Sequence, residues 1–210
     1  MLLSIIVPAF NEETCLREIL AGLQRSKLSL PRSKGLDAEF IVVDNESNDR
    51  TAEIARAFGA TIVGESQHNI AKVRNTGATA ARGDVLVFVD ADVIVPEKLL
   101  LRVVEAMSDE TCFGGAFDTD YKPKKMIVSV YLKFWRIIGK LAGMAQGAAQ
   151  FYRRDTFQAL KGFDETLYMG EDVDLFWRLR KLAKQQNGRV VFIDDLRVVP
   201  STRRFDQWRA

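Results

Sequence analysis

The stretch DVLVFVDADV, residues 84 to 93, decides how the rest of the chain is read. Val85 to Val89 are five apolar residues in a row, the pattern of a strand covered on both faces. Two carboxylates, Asp90 and Asp92, stand directly at its end. Residues i and i+2 of an extended segment point to the same side, so the pair should face one hard cation while Ala91 turns the other way. Mg²⁺ or Mn²⁺ prefers oxygen ligands and keeps positions open for water and phosphate. The two aspartates are therefore half a metal site, of the kind a diphosphate completes. Asp-x-Asp also occurs by chance in turns; here its weight comes from its place at the end of a buried strand.

Working outward, short apolar runs alternate with helical patterns. LLSIIVP reads as a strand, and NEETCLREILAGLQRSK follows with Leu16, Ile19, Leu20 and Leu23 at helical spacing, acidic residues in its first turn and Asn11 as the expected cap. EFIVVD is a second strand, and RTAEIARAFG a helix stopped by Gly59. ATIVG is a third strand and NIAKVRNTGATAARG a third helix, in which Gly77 allows close approach to a strand or ligand. Alternating strands and helices define an α/β fold with a mostly parallel sheet covered on both faces. Ligands bind such sheets beyond the carboxyl ends of the strands. Three strands end in polar residues there: Asn11 and Glu12 after the first, Asp44 to Ser47 after the second, Asp90 and Asp92 after the fourth. Each alone is an ordinary cap or turn residue; their joint placement predicts one shared edge.

Composition bounds the reading. An apolar fraction of 47% with 28% charged residues describes a soluble globular chain, and 210 residues suit one domain. Thirty basic against 28 acidic residues give a net charge of +2, which sets nucleic acid aside as a main partner. Cys15 and Cys112 lack metal-ligand spacing and read as two inert buried thiols of a reducing compartment, hence a cytoplasmic protein. The opening MLLSIIVPAFNEE has neither a basic leader nor a small-residue cleavage site, and no segment reaches the roughly eighteen apolar residues that a membrane span needs.

As a set, SIIVPAFNEE, FIVVDNESNDRT, VRNTGATAARGDVLVFVDADV, GAAQFYRRDTFQALKGFDE and GEDVDLFWRLRK resemble the family 2 glycosyltransferases. The resemblance implies a GT-A-type fold, with a mostly parallel central sheet flanked by helices and a Rossmann-like N-terminal half. It implies a single domain over 1–210, in which 1–95 bind the nucleotide-sugar and 96–210 the acceptor. A UDP- or GDP-sugar is the implied donor, with Mn²⁺ or Mg²⁺ held by Asp90 and Asp92. Asp44 would read the base, and the backbone near Pro8 and Ala9 would line the nucleotide pocket. Asn11, Glu12 and Ala91 would complete the donor side. Many family members have a second acidic residue and then Gly-Ser where this chain reads Asp44-Asn45-Glu46-Ser47. Arg74 would reach a phosphate or fix the metal carboxylates, with a structural salt bridge as the alternative. Lys72 and His68 read as surface or loop residues. Arg203 and Arg204, after the strand RVVFID, either return to the diphosphate or are solvated charges.

Transfer to a hydroxyl needs a base for the acceptor proton. GEDVDLFWRLRK places Glu171, Asp172 and Asp174 at a helix start, and the resemblance to the family's acidic pair points to Asp172, with Glu171 as alternate. The opposing reading is that these carboxylates only complement the helix dipole, which would lower their pKa. The resemblance makes GAAQFYRRDTFQALKGFDE, a short strand, a helix and the Gly162-Phe163-Asp164 turn, the floor of the acceptor pocket, with Phe163 equally readable as core. The chain has no Gln-x-x-Arg-Trp after the acidic pair, a pattern that polymer-forming members carry, so non-processive transfer is expected; hexosyl transfer with inversion at the anomeric carbon is what the resemblance implies. KKMIVSVYLKFWRIIGKLAGMA, with Lys133, Arg136, Lys140 and Trp135, fits a basic amphipathic helix over 125–145. It would bring the protein peripherally to the inner face of a membrane and to a lipid-linked acceptor; packing on its own core or on a second subunit are the other readings. The rival functions are a catalytically silent nucleotide-sugar-binding protein and a sugar nucleotidyltransferase, which would need a Gly-rich basic loop after the first strand. A dinucleotide oxidoreductase is disfavoured by the lack of Gly-x-Gly-x-x-Gly there.

Overall fold

The computed structural model describes residues 1–31, 35–141, 144–145 and 147–203, apart from the side chains of Trp135, Lys140 and Leu141. Eight strands, β1 (Leu2–Ala9), β2 (Asp37–Asp44), β3 (Thr61–Gly64), β4 (Val85–Val89), β5 (Val93–Ile94), β6 (Cys112–Thr119), β7 (Ala149–Arg153) and β8 (Arg189–Pro200), form one sheet in the order β3-β2-β1-β4-β7-β6-β8-β5. The first four pair in parallel. β7 then runs antiparallel to both β4 and β6, β8 is parallel to β6, and β5 closes antiparallel on β8. The sheet is mixed, with parallel pairing predominant.

Helices α1 (Leu16–Leu28), α2 (Thr51–Ala57), α3 (Ile70–Ala80), α4 (Leu99–Met107), α5 (Met126–Leu141), α6 (Arg154–Ala159) and α7 (Glu171–Gln185) connect the strands. The continuous apolar runs follow from burial on both faces. In β4, Val85, Val87 and Val89 join the core cluster that includes Leu16, Leu20 and Leu100, while Leu86 and Phe88 join the one that includes Val73, Leu175 and Phe163. The absence of a side chain at Gly77 lets α3 lie on the sheet: a Cβ there would come within 2.4 Å of Ile6 and 2.8 Å of Val43. It is the strands, not a ligand, that Gly77 accommodates.

Three local expectations are corrected. Asn11 does not cap α1, which starts at Leu16 behind Cys15; Asn11 takes a left-handed turn at φ 53°, and the Glu12 carbonyl accepts from the backbone N–H groups of Cys15 and Leu16. Cys112 is buried, and burial pushes its thiol pKa up, but Cys15 is only half-buried. Asp90 and Asp92 do not continue an extended segment: β4 ends at Val89 and a tight turn follows, closed by Val93 N–H donating to the Asp90 carbonyl at 3.3 Å. Ala91 does turn into the core, at 4% exposure.

Candidate active site

The parallel register of β2, β1 and β4 sets the ends of three strands side by side, with Ala9 opposite Asp44. The loops leaving β1 and β2 are knitted together. Asn11 N–H donates to Ser47 Oγ at 3.0 Å, Asn48 N–H to Asn11 Oδ1 at 2.8 Å, and Glu12 N–H to Thr51 Oγ1 at 2.9 Å. Asp44 accepts from Ser47 N–H, which orients its carboxylate at the end of β2. Glu46 takes the left-handed φ of 60° that glycine adopts freely. Its carboxylate lies 3.8 Å from His68, whose ring meets the half-exposed Phe10 edge-on at 5.0 Å. Lys72 pairs instead with Glu165.

Arg74 is the centre of the site. Its guanidinium, 5% exposed, binds Asp90 Oδ1 at 2.8 Å through Nη2 and Glu171 Oε1 at 2.5 Å through Nη1. It lies 5.4 Å over the ring of Phe163, which packs edge-on against Phe88. Phe163 is thus core beneath the site, buried to 3%. α3 carries Arg74 and α7 carries Glu171, so this one side chain ties the strand-end carboxylate of Asp90 to the helix of the acidic pair. Burial alone would lower the Arg74 pKa; the charges of Asp90, Glu171 and Asp172 outweigh it and hold the guanidinium firmly protonated.

α7 starts after Gly170, at φ 84°, and its first turn holds Glu171, Asp172 and Asp174. Asp174 turns to Arg178 at 2.7 Å. Asp172 behaves differently from the helix-dipole expectation: its pKa is raised, first by burial and then by the charges of Glu171 and Asp90, against the lowering effect of Arg74. Room for its carboxylate comes from Gly147, where a Cβ would stand 2.7 Å from Asp172 Oδ2. Gln150 Nε2 donates to the Asp172 carbonyl at 3.4 Å, and Gln150 Oε1 accepts from the buried Tyr152 hydroxyl at 2.6 Å. Burial, with the charges of Asp90, Asp92 and Asp172, pushes the Tyr121 phenol up to about 12.

Arg203 closes the other side. It binds Glu12 Oε2 at 2.6 Å and lies 3.8 Å from Asp92, while Ser201 N–H donates to the Asp92 carbonyl. Arg204 lies outside the described residues. The structure therefore brings Glu12, Asp90, Asp92, Arg74, Glu171, Asp172 and Arg203 to one edge, with Pro8, Ala9 and Asp44 at adjacent strand ends. Tyr121, Gly147 and Gln150 were not singled out from the sequence. The last two lie within the GAAQ stretch, which read as a short strand in a section that the resemblance makes the floor of the acceptor pocket, while Tyr121 carried no signal.

Among the described residues, no group of three or more His, Cys, Asp or Glu could hold a metal by itself. Asp90 and Asp92, 34% and 28% exposed, are hard oxygen donors at an open rim, and Asp90 Oδ2 makes no hydrogen bond among the described residues. That donor set fits a Mg²⁺ or Mn²⁺ whose remaining ligands come from water and phosphate.

Open α/β sheets bind their ligands beyond the carboxyl ends of the strands, and it is there that these acidic residues gather. The sequence matches Glycosyl transferase family 2 over residues 4–160, and the chain belongs to that family. A 4,4'-diaponeurosporenoate glycosyltransferase of Staphylococcus haemolyticus is 39% identical over 61% of this chain and 36% of its own length. An undecaprenyl-phosphate 4-deoxy-4-formamido-L-arabinose transferase of Pseudomonas aeruginosa is 34% identical over 50% of this chain and 32% of its own. The solved mannosyltransferase PcManGT of Pyrobaculum calidifontis, in complex with GDP-Man and Mn²⁺, superposes with a TM-score of 0.72 over 95% of this chain and 56% of that one, at 23% identity, and so shares the fold. The chain spans between about a third and three fifths of the length of the curated relatives it matches. Among the described residues, no helix is long and apolar enough to cross a membrane.

Proposed function

We propose that this chain transfers a sugar from a nucleotide-diphosphate donor to the hydroxyl or phosphate of a lipid-linked acceptor. The observation that carries the reading is the Arg74 bridge, which joins Asp90 on the donor side to Glu171, next to Asp172, on the acceptor side. Asp90 and Asp92 would hold Mn²⁺ or Mg²⁺ against the diphosphate, and the metal would offset the charge that builds on the leaving group. Arg203 adds positive charge at the same rim. Asp172 takes the acceptor proton, either from a hydroxyl or the one a phosphate monoester still holds, as the acceptor oxygen bonds to the anomeric carbon and the nucleoside diphosphate departs. A single displacement of this kind inverts the anomeric centre. The raised pKa of Asp172 makes it a better base than an ordinary exposed aspartate. Glu171 is committed to Arg74 and serves to position it. The names of the undecaprenyl-phosphate and diaponeurosporenoate relatives support a lipid acceptor.

The test is transfer from nucleotide-sugars to polyprenyl phosphate in detergent with Mn²⁺, using the whole protein. Asp172→Asn should lower kcat about 10²-fold or more while donor affinity stays near wild type. Full turnover in Asp172→Asn with collapse in Glu171→Gln would move the role to Glu171. Donor binding without turnover in the wild-type protein would leave a nucleotide-sugar-binding protein.

A further inference from the structure

Residues 121–147 contain six basic residues, Lys122, Lys124, Lys125, Lys133, Arg136 and Lys140, and no aspartate or glutamate. The rest of the chain then holds 24 basic against 28 acidic residues, so the positive charge is concentrated in this one segment. Most of it is α5, 16 residues and about 24 Å long. At about 100° per residue, Met126, Ile127, Val130, Tyr131, Phe134 and Ile137 fall on one stripe about 140° wide. All six are between 46% and 83% exposed.

The opposite side of the helix is anchored. Val128 and Leu132 are buried, and Arg136 binds Asp118, which is 2% exposed, with its Nε at 3.0 Å from Oδ1. Arg136 is therefore not part of an outward basic face, contrary to the reading that grouped it with Lys133 and Lys140; a buried carboxylate needs its charge. Lys133 is exposed at the margin of the stripe. The side chains of Trp135 and Lys140 lie outside the described residues.

We infer that the exposed stripe of α5 is a docking surface for an anionic lipid bilayer, lying flat with its apolar side chains in the headgroup boundary and its lysines against the lipid charge. Charge favours this occupant over a second copy of the chain. Pairing two such faces would bring two all-basic segments together with no acidic side chain in either to neutralise them. The placement also serves the site. The segment leaves the catalytic edge at Tyr121, beside the charges of Asp90, Asp92 and Asp172, and returns to it at Gly147, against Asp172. A bilayer under α5 thus lies next to the base. Delivery of the acceptor from that bilayer rests on the lipid-linked reading above; the docking surface does not.

The experiment is co-sedimentation of the whole protein with phosphatidylcholine vesicles, with and without phosphatidylglycerol, at low and high salt. Binding should require phosphatidylglycerol and weaken with salt. Lys122→Glu with Lys133→Glu should reduce it at least about tenfold, and Ile127→Ser with Val130→Ser and Ile137→Ser by a similar factor. Circular dichroism and Mn²⁺-dependent nucleotide binding serve as controls, since these exposed positions carry neither the fold nor the donor site. Negligible binding to both vesicle types, or wild-type binding by the triple serine variant, would overturn the surface. A dimer in solution that the triple serine variant abolishes would assign the face to a second copy and overturn it equally. Absence of vesicle binding by the wild-type protein, with transfer to detergent-dissolved polyprenyl phosphate intact, rejects the surface and keeps the acceptor; vesicle binding by the wild-type protein without transfer does the reverse.

Discussion

Replacing Arg74 with methionine removes a charge but little volume, and isolates what the bridge between Asp90 and Glu171 contributes. Asp90 is about a third exposed, so solvent screens its loss and that half of the bridge should cost at most about 1 kcal/mol. Glu171 is different: at 8% side-chain exposure it would be left as an unpaired buried charge beside Asp172. Breaking a buried pair in this way costs about 3–5 kcal/mol, so nearly all of the destabilisation should come from the Glu171 half. The pH dependence gives a second check. Arg74 restrains the upward shift of the Asp172 pKa, and its removal lets that pKa rise further. A group whose folded-state pKa is raised contributes stability below the unfolded value and loses it as pH rises through the folded value. The penalty for Arg74→Met should therefore be larger at pH 8 than at pH 5. Urea unfolding of wild type and variant at both pH values measures it. A loss under about 1 kcal/mol at pH 8, or the same loss at both, would refute the assignment of Arg74 as a buried counter-charge. Arg74→Lys should fall between, because a point charge does not reach both carboxylates as the forked guanidinium does.

Gly147→Ala should push the Asp172 carboxylate from its place, since the added methyl would stand 2.7 Å from Oδ2 and 2.9 Å from Cβ; turnover should fall about tenfold or more with nucleotide affinity unchanged, read by parallel rate and calorimetric measurements. Glu46→Gly should raise the thermal midpoint, by about 0.5–1 kcal/mol in stability, because it relieves a left-handed residue at φ 60°; a drop would mean that Glu46 side-chain contacts outweigh the strain. The acid limb of the kcat/KM profile should lie above the ordinary aspartate range, because burial raises the Asp172 pKa and the base must be ionised to act; a limb at or below that range would remove Asp172 from the role.

The N-terminal half was legible because parallel strands buried on both faces read as unbroken apolar runs, as in Val85 to Val89. β6 was not read as a strand: Gly114 and Gly115 interrupt it, and they are there because Cβ atoms would come within 2.4 Å of the Phe151 carbonyl and 2.2 Å of the Val191 carbonyl. β8 runs on to Pro200, past the apolar run that ends at Ile193, because Arg197 and Val198 continue the pairing with Asp118 and Thr119 after a register shift. The strand-end acids could be placed from sequence, since parallel topology dictates where strand ends meet. A hold of Arg74 on the metal carboxylates was among the sequence readings, and the structure has it on Asp90, but its bridge to Glu171 was not among them. Arg74 and Glu171 are 97 positions apart, and only the packing of α3 and α7 on the same face of the sheet brings them together. The helix-dipole argument for Asp172 failed for a related reason: burial and the neighbouring carboxylates are tertiary effects that outweigh the local one.

The proposal that Asp90 and Asp92 hold a metal against the diphosphate is tested most directly by calorimetric titration of GDP and UDP into the protein with Mn²⁺ present and with a chelator. One of the two nucleotides should bind tightly only with Mn²⁺, and Asp90→Ala with Asp92→Ala should abolish that dependence together with the binding. Equal affinity with and without chelator, or an unchanged Mn²⁺ dependence in the double variant, would contradict it and put the nucleotide elsewhere.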